Sequence, residues 1–353
     1  FSFISLKCPE IFLQIRKDAT FNLQDLFAPK TSRSGKPPFS ILVSKVKLSG
    51  ASIHFQDDTL SPPFNKIIEN LNLNLYLSAP ASVKFKLKAE IPSQPLINIE
   101  GSGEFKILQQ QIRAKVSLQN FPPREFLAYY QNLGIDITGG LINCFLDLEF
   151  KKGILNANLS VQNKNLNIVR DNIKALLDSD IGANLQYNLQ DKQLKFSGKG
   201  AINNAVIQGL EFVGEINGIK GAVSFDNSGV SSDKLSANVF GMPVEAKINL
   251  SDFNNPSLNM DIASTLSLSN LQGIIKDKFK LVFPGNIKGE ANLSLNIKTK
   301  IPLVQTPQVN GYLDILNAIL KLEKFASPIE NINGRVEFSQ ELLKWPKLNF
   351  KYL

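Results

Sequence analysis

Apolar and polar residues alternate along most of this chain, the period-two signature of strands with one buried and one wet face. Leu71, Leu73, Leu75 and Leu77 alternate with Asn72, Asn74 and Tyr76. Val83, Phe85, Leu87 and Ala89 alternate with Lys84, Lys86 and Lys88. Ile142, Cys144, Leu146, Leu148 and Phe150 form a third run, and after a Lys151-Lys152-Gly153 turn Leu155, Ala157, Leu159 and Val161 continue on a return strand. Further runs are Leu185-Tyr187-Leu189, Val244 to Leu250 and Ala291 to Ile297. Asp226 to Gly229, Asp252 to Pro256 and Gln190 to Lys192 carry turn chemistry. Short loops between neighbouring runs predict antiparallel pairing. Helix is sparse. Pro122-Pro123 leads into a helical stretch over Arg124–Asn132 with Phe126, Leu127 and Tyr130 on one face. Ser269 is placed to cap a helix over Ser269–Lys278, Asn22–Phe27 reads as one turn, and Asp171–Leu177 reads as a short helix or as a strand continuing. Ala28 to Pro38 reads as a loop.

One phrase recurs. Ile219-Lys-Gly221-Ala-Val223-Ser-Phe225 reappears as Ile332-Asn-Gly334-Arg-Val336-Glu-Phe338, and each has a second half, Leu235-Ala237-Val239 or Leu348-Phe350-Tyr352. A looser relative, Leu48-Ser-Gly50-Ala-Ser-Ile53-His-Phe55, has one extra residue between its glycine and the apolar pair. Repeated half-buried hairpins predict a sheet to which strands are added serially. The Pro122-Pro123 break divides the chain into 1–121, with a flexible loop near 28–38, and 122–353, continuing in the same pattern.

The 353 residues, 43% of them apolar and 20% charged, are those of an ordered protein. No apolar run is long enough for a membrane-spanning helix. Phe1 in place of Met, and alternation that continues to the C-terminus, lead to the expectation of a piece of a longer protein, truncated at the C-terminus, whose signal or anchor lies upstream. The net charge of +8 is carried mostly by lysines scattered at alternate positions, which reads as a solvated strand face that deters edge pairing, without the cluster that nucleic acid requires. Cys8 and Cys144 make neither a disulfide scaffold nor a metal cluster; Cys144 falls on an apolar parity, and a bridge between the two is one option.

Chemistry is scarce. The single histidine, His54, sits on the polar parity of a strand and would have to be the base of any triad. Asp57-Asp58 is the most conspicuous carboxylate pair, and its setting before Thr59-Leu-Ser-Pro-Pro63 is that of a turn. Gly101-Ser-Gly103 and Gly198-Lys-Gly200 lack the rest of a phosphate loop, and Gly139-Gly140 reads as a strand bend or bulge. The expectation is a non-enzymatic chain that needs no cofactor and no metal. An apolar sheet face must be covered, by a second sheet or, in a curled trough, by lipid.

The Gly221-Val223-Phe225 phrase and its Gly334 copy resemble the repeat of AsmA-like (AsmA/TamB/YhdP-type) envelope proteins. Cys8-Pro9-Glu10-Ile11 followed by Phe21-Asn22-Leu23-Gln24-Asp25-Leu26 is similar to the segment after their membrane anchor, and Val46 to Asp58 and Phe126 to Gly140 also resemble family segments. The resemblance implies a mainly β fold, a long, twisted antiparallel sheet curled into an elongated groove with a few short helices. It implies a periplasmic protein, anchored to the inner membrane of a Gram-negative bacterium, that carries phospholipid between inner and outer membranes or serves outer-membrane biogenesis. The expected partners are phospholipid acyl chains, the inner membrane and outer-membrane or envelope proteins. The groove lining expected from the apolar parity is Leu71, Leu73, Leu75, Val83, Phe85, Leu87, Ile142, Leu146, Leu148, Leu159, Leu185, Val223, Phe225, Ile248, Leu293, Leu295, Val336 and Phe338. Two other readings stay open: a structural or adhesin-like scaffold with a dry core, and a carbohydrate-active β-solenoid using Asp57 or Asp58.

Overall fold

The computed structural model describes residues 2–23, 43–78, 81–211, 213–301 and 306–352. It is mainly β, and among the described residues the strands belong to one 19-stranded sheet. The loop expected at 28–38 and the end of the turn expected at Asn22–Phe27 lie outside the described residues. Two compact units divide the chain, one comprising Phe1–Asp171 with Asp178–Phe196, the other Asn172–Leu177 with Ser197–Leu353. The Pro122-Pro123 break lies inside the first.

The first unit contains β1 (Ser2–Lys7), β2 (Glu10–Ile15), β3 (Val43–Asp57), β4 (Phe64–Ser78), β5 (Ser82–Ile91), β6 (Ile97–Lys106), β7 (Gln111–Phe121), β8 (Asp136–Lys151), β9 (Ile154–Arg170) and most of β10 (Ile173–Asn188). From β3 to β9 it is an antiparallel meander. The expectation of antiparallel pairing fails at one edge, where β1 and β2 both pair with β3 in parallel. These two are one edge strand broken at Cys8, whose φ is +49, followed by Pro9, which has no N–H to donate. The segment Asp171–Leu177 runs into β10 as a strand. Between β7 and β8 the expected helix is a pair of 3₁₀ turns, Pro123–Tyr129 and Gln131–Leu133, the first kinked at Phe126.

The second unit contains β11 (Gln193–Leu210, less its first residues), β12 (Gly214–Asp226), β13 (Gly229–Val239), β14 (Met242–Ser251), β15 (Ser257–Ser267), the helix α1 (Leu268–Phe279), β16 (Gly285–Lys300), β17 (Gln308–Leu322), β18 (Ile329–Ser339) and β19 (Leu343–Tyr352). It too is an antiparallel meander. The repeated phrase is a repeated hairpin: Gly221 faces Leu235 on β13, and Gly334 faces Leu348 on β19. At both sites φ is strongly positive, +150° and +157°, and a Cβ would fall 2.5 Å from the Lys234 carbonyl oxygen or 2.2 Å from that of Lys347. The phrase needs glycine because the next strand passes too close for a side chain. Ser269 does not cap α1; Ser267 holds the N-cap position, and its hydroxyl meets that of Ser269 at 2.8 Å without capping a backbone N–H.

The strands do not keep one parity. Apolar positions are even in Val46 and Leu48 and odd in Ala51, Ile53 and Phe55; they are even in Phe64 to Ile68 and odd from Leu71. Each slip is a bulge, where the register of the pair breaks and one residue takes a positive φ: Gly50 (62°), Asn70 (52°), Asn120 (59°), Asn165 (50°), Asn317 (46°) and Asn331 (52°). The extra residue after Gly50 in the looser phrase is such a bulge. A bulge leaves a ladder N–H without its strand partner, and at four of these six positions a side chain of the neighbouring strand accepts it. Gly50 donates to Asn72 Oδ1 (3.3 Å), Asn120 to Asn143 Oδ1 (2.8 Å), Asn165 to Asp178 Oδ1 (2.5 Å) and Asn317 to Asn333 Oδ1 (2.9 Å). Asn72 and Asn333 also donate to the carbonyls of Asn70 and Asn331, two residues back.

The residue after the bulge turns into the densest packing of its unit. Ala51 and Leu71 form a buried cluster with Ala89; Ala318 and Ile332 form another with Leu266, Leu268 and Ala291. Half of these residues are alanines, which fit where the strands crowd. Two glycine substitutions separate crowding from backbone freedom. Gly103→Ala sets a methyl group 2.6 Å from the Phe85 ring and 2.3 Å from the Arg113 carbonyl oxygen, so it should lower stability by about 1–3 kcal/mol. Gly273→Ala, in open space on α1, should raise it by about 0.5–1 kcal/mol. Thermal melting of the two variants checks both signs.

Candidate functional site

Side chains at one parity of each meander line up into rungs across the strands. In the first unit, pairing runs from Leu73 to Leu87, Gly101, Val116, Leu146 and Leu159, and beside it from Leu75 to Phe85, Gly103, Ala114, Leu148 and Ala157. A third rung starts at Leu77 and Val83 and ends at Phe150 and Leu155, and a fourth takes Ile99, Leu118, Cys144 and Val161. Ile142 faces Phe121 at the bulged end. Gly101 and Gly103 are the floor under two larger neighbours, since a Cβ there would press on Leu87 and on the Phe85 ring. Leu185 stands on β10, half-buried.

In the second unit Ile262, Leu295, Gly311 and Phe338 make one rung, and Leu293, Leu313 and Val336 another. Ile248, Met260 and Ile297 make a third, Phe225, Val230, Leu250 and Leu258 a fourth, and Val223 faces Gly200. Phe338 lies over Gly311 as Phe85 lies over Gly103, with a would-be Cβ 2.8 Å from its ring. The expected lining residues thus fall into two sets, one in each unit. The alternation also assigns Val116, Leu118, Leu258, Met260, Ile262, Leu313 and Ile315 to these faces. The bulge asparagines were missed, although a signal was present: Ile68-Glu-Asn70-Leu-Asn72 and Ile329-Glu-Asn331-Ile-Asn333 are the same phrase.

These faces are covered only in part. Of the expected lining, Leu71 is buried and the others are half-buried. Among the described residues the one large side chain that is fully buried is Ile97, and about half of the buried apolar residues are alanines. A short helical element packs against each face. In the first unit Phe126 and Tyr129 of the 3₁₀ turn close on Phe64 (5.4 and 5.0 Å between ring centroids), and Phe126 also on Phe121 (4.5 Å). Glu125 pairs with Lys66 at 2.5 Å. In the second unit Gln272 of α1 donates to the Gly285 carbonyl (2.5 Å) and accepts from Ile287 N–H (3.1 Å), pinning the helix to β16. An apolar recess of about 380 Å³ remains between α1 and the sheet.

The candidate polar groups are engaged locally. Asp57 is 4% exposed; its Oδ1 accepts from the Thr59 N–H (2.9 Å) and hydroxyl (2.5 Å), and its Oδ2 from the Tyr129 hydroxyl (3.1 Å). The Thr59 bonds, foremost, hold its carboxyl below the usual range although burial opposes them. Asp58 accepts from Gln56 and Gln14, both at 2.7 Å, and is lowered for that reason. Neither carboxyl is raised, as the general acid of a glycosidase must be. His54 is half-buried and stacks on Phe12, 4.8 Å between ring centroids. Cys8 and Cys144 are both unpaired, so the bridge between them does not form; burial pushes the Cys144 thiol up. Among the described residues no group of three His, Cys, Asp or Glu side chains is placed to hold a metal, and no helix is long and apolar enough to cross a membrane. Comparison with family models, with curated proteins and with solved structures finds no match.

The Tyr129–Asp57 bond carries a pH signature. Burial, then the Asp57 carboxylate, pushes the Tyr129 phenol up to about 12, above an unfolded value near 10. A group raised on folding stabilises fully below its unfolded pKa and loses that contribution as pH rises through the folded one. Asp57, depressed on folding, has the opposite sign, and its contribution fades as pH falls through and below the ordinary carboxylate range. Tyr129→Phe should therefore flatten the loss of melting temperature between about pH 10 and 12. Asp57→Asn should flatten the acid limb. Melting curves across both ranges check the pair.

Proposed function

We propose that the chain is a non-enzymatic lipid carrier whose half-open β faces hold phospholipid acyl chains. The observation that carries this reading is the partial burial of the rungs. Leu146, Leu148, Leu295 and Phe338 are half-buried and lie outside the two buried clusters, whereas Leu73, Leu87 and Leu293 keep accessible area while packing against those clusters. Apolar area left open is unfavourable in water by about 25 cal/mol per Å², and an acyl chain laid along the rungs would recover it at about 0.8 kcal/mol per methylene. Such rungs ask for a long, flexible, featureless ligand, because they repeat along the strands and offer few polar groups to read a headgroup.

The setting comes from the resemblance to AsmA-like proteins. We place the chain in the periplasm, held to the inner membrane by an anchor outside this sequence, moving phospholipid toward the outer membrane in its biogenesis with envelope proteins as partners. No nucleic acid is involved. Scattered lysines on the wet parity suit a solvated outer face.

An open face and a dry core respond oppositely to a charge. Leu146→Asp or Leu295→Asp should reduce co-purified acyl lipid, measured by extraction and mass spectrometry, by about tenfold while the melting temperature moves by only a few degrees. Unfolding of both variants, with no lipid on the wild-type protein, would instead identify a scaffold with a dry core.

A further inference from the structure

The loop after α1 differs from every rung of the sheet. Leu281, Val282 and Phe283 are 64%, 79% and 45% exposed, three consecutive large apolar side chains on a loop. Single exposed apolar side chains are ordinary on a protein surface, whereas a contiguous group is a mark of a contact surface. This loop is held at both ends. Gln272 fixes α1 to β16, and Gly285 N–H donates to the Phe283 carbonyl at 2.8 Å.

The charge around it is predominantly positive. Lys276 and Lys278 occupy the last turn of α1, and Lys280 follows in the left-handed C-cap position. Asp277 is the one carboxylate between Leu268 and Gly285, and Glu323, whose N–H faces the Pro284 carbonyl, stands beside the loop together with Lys288. Among the described residues Lys276, Lys278 and Lys280 form no ion pair, and all three are exposed. An apolar tip flanked by unpaired cations is the arrangement of an interfacial membrane segment: the tip enters the acyl boundary, and the lysine stems reach back to place their ammonium groups at the phosphates.

We propose that the last turn of α1 and the Leu281–Phe283 loop form a docking surface for an anionic lipid bilayer. Leu281, Val282 and Phe283 insert at the level of the glycerol and upper acyl chains, and Lys276, Lys278 and Lys280 bind the phosphate layer. The lysines favour an anionic surface over a purely apolar patch, because only the anionic surface adds electrostatic attraction to the insertion of the apolar tip. Each lysine near an anionic surface strengthens partition roughly fivefold. The apolar recess behind the loop, lined by Leu271, Ile275 and Ile315 and bordered by the tip itself, would then open toward the bilayer. The docking surface rests on the loop and its lysines, and it stands whether or not the sheet faces carry lipid.

Flotation of the full chain with phosphatidylcholine vesicles, with and without phosphatidylglycerol, tests it. The wild-type protein should float only with the anionic vesicles and be released by high salt. Val282→Asp, and the triple charge reversal Lys276→Glu, Lys278→Glu, Lys280→Glu, should each reduce the bound fraction about tenfold or more at unchanged melting temperature. As a direct probe, Val282→Trp in a Trp345→Phe background should shift its emission to the blue on anionic vesicles and be quenched by brominated lipid. Absence of wild-type flotation, equal flotation of the charge-reversed protein, or an unshifted and unquenched tryptophan would overturn the proposal. Loss of co-purified acyl lipid with flotation intact would count against the carrier reading alone and leave the docking surface supported.

Discussion

The architecture depends on one recurrent hydrogen bond, the acceptance of a bulge N–H by an Asn or Asp side chain of the next strand. A ladder N–H that loses its strand partner near a packed corner is costly unless another acceptor is supplied. At Gly50, Asn120, Asn165 and Asn317 the acceptor is a short polar side chain at a fixed place on the neighbour. That bond makes it possible for the strand to take a positive φ, change parity and turn its next residue inward. Remove the bulges, and each long strand would present its apolar positions to one face in its first half and to the other in its second. The bulges thus keep a single apolar face continuous along strands too long to stay flat.

The consequence for packing is an uneven interior. Tight burial concentrates beside the bulges, in alanines and a few leucines and isoleucines, while the long arms of the strands carry rungs that are only half-covered. The 3₁₀ turn at Pro123–Tyr129 and the helix Leu268–Phe279 supply local cover where the aromatic cluster or the Gln272 clamp holds them. A sheet built this way gains its cohesion from strand pairing and bulge corners. Along the arms the rungs stay half-buried. The exposed ion pairs on the outer face, such as Lys88–Glu100 and Lys234–Glu245, add little to the cohesion.

Much of the fold was legible from alternation alone. The strands, the turn at Lys151-Lys152-Gly153, the bulge at Gly139-Gly140 and the equivalence of the two glycine phrases are all local: each is set by side-chain parity or by a residue suited to positive φ. The phrase Ile-Glu-Asn-apolar-Asn was equally present, at Ile68 and again at Ile329, but its meaning was not. Two asparagines in a strand read as a polar parity until a neighbouring strand shows which N–H they accept. Ser269 looked like a cap for the same local reasons that belong to Ser267, and Asp171–Leu177 left helix and strand in balance until pairing decided for the strand.

The sequence by itself determined where apolar and polar positions alternate and where the chain turns. These follow from short-range steric and solvation preferences, which act within a few residues. Tertiary structure alone decided that β1 and β2 join β3 in parallel, that Cys8 and Cys144 remain apart, that Asp57 is sealed by Tyr129, and that the rungs stay half-open. Each of those is a matter of which distant segments meet and how closely, and period-two alternation is the same whether the opposite side of the face holds protein, lipid or water.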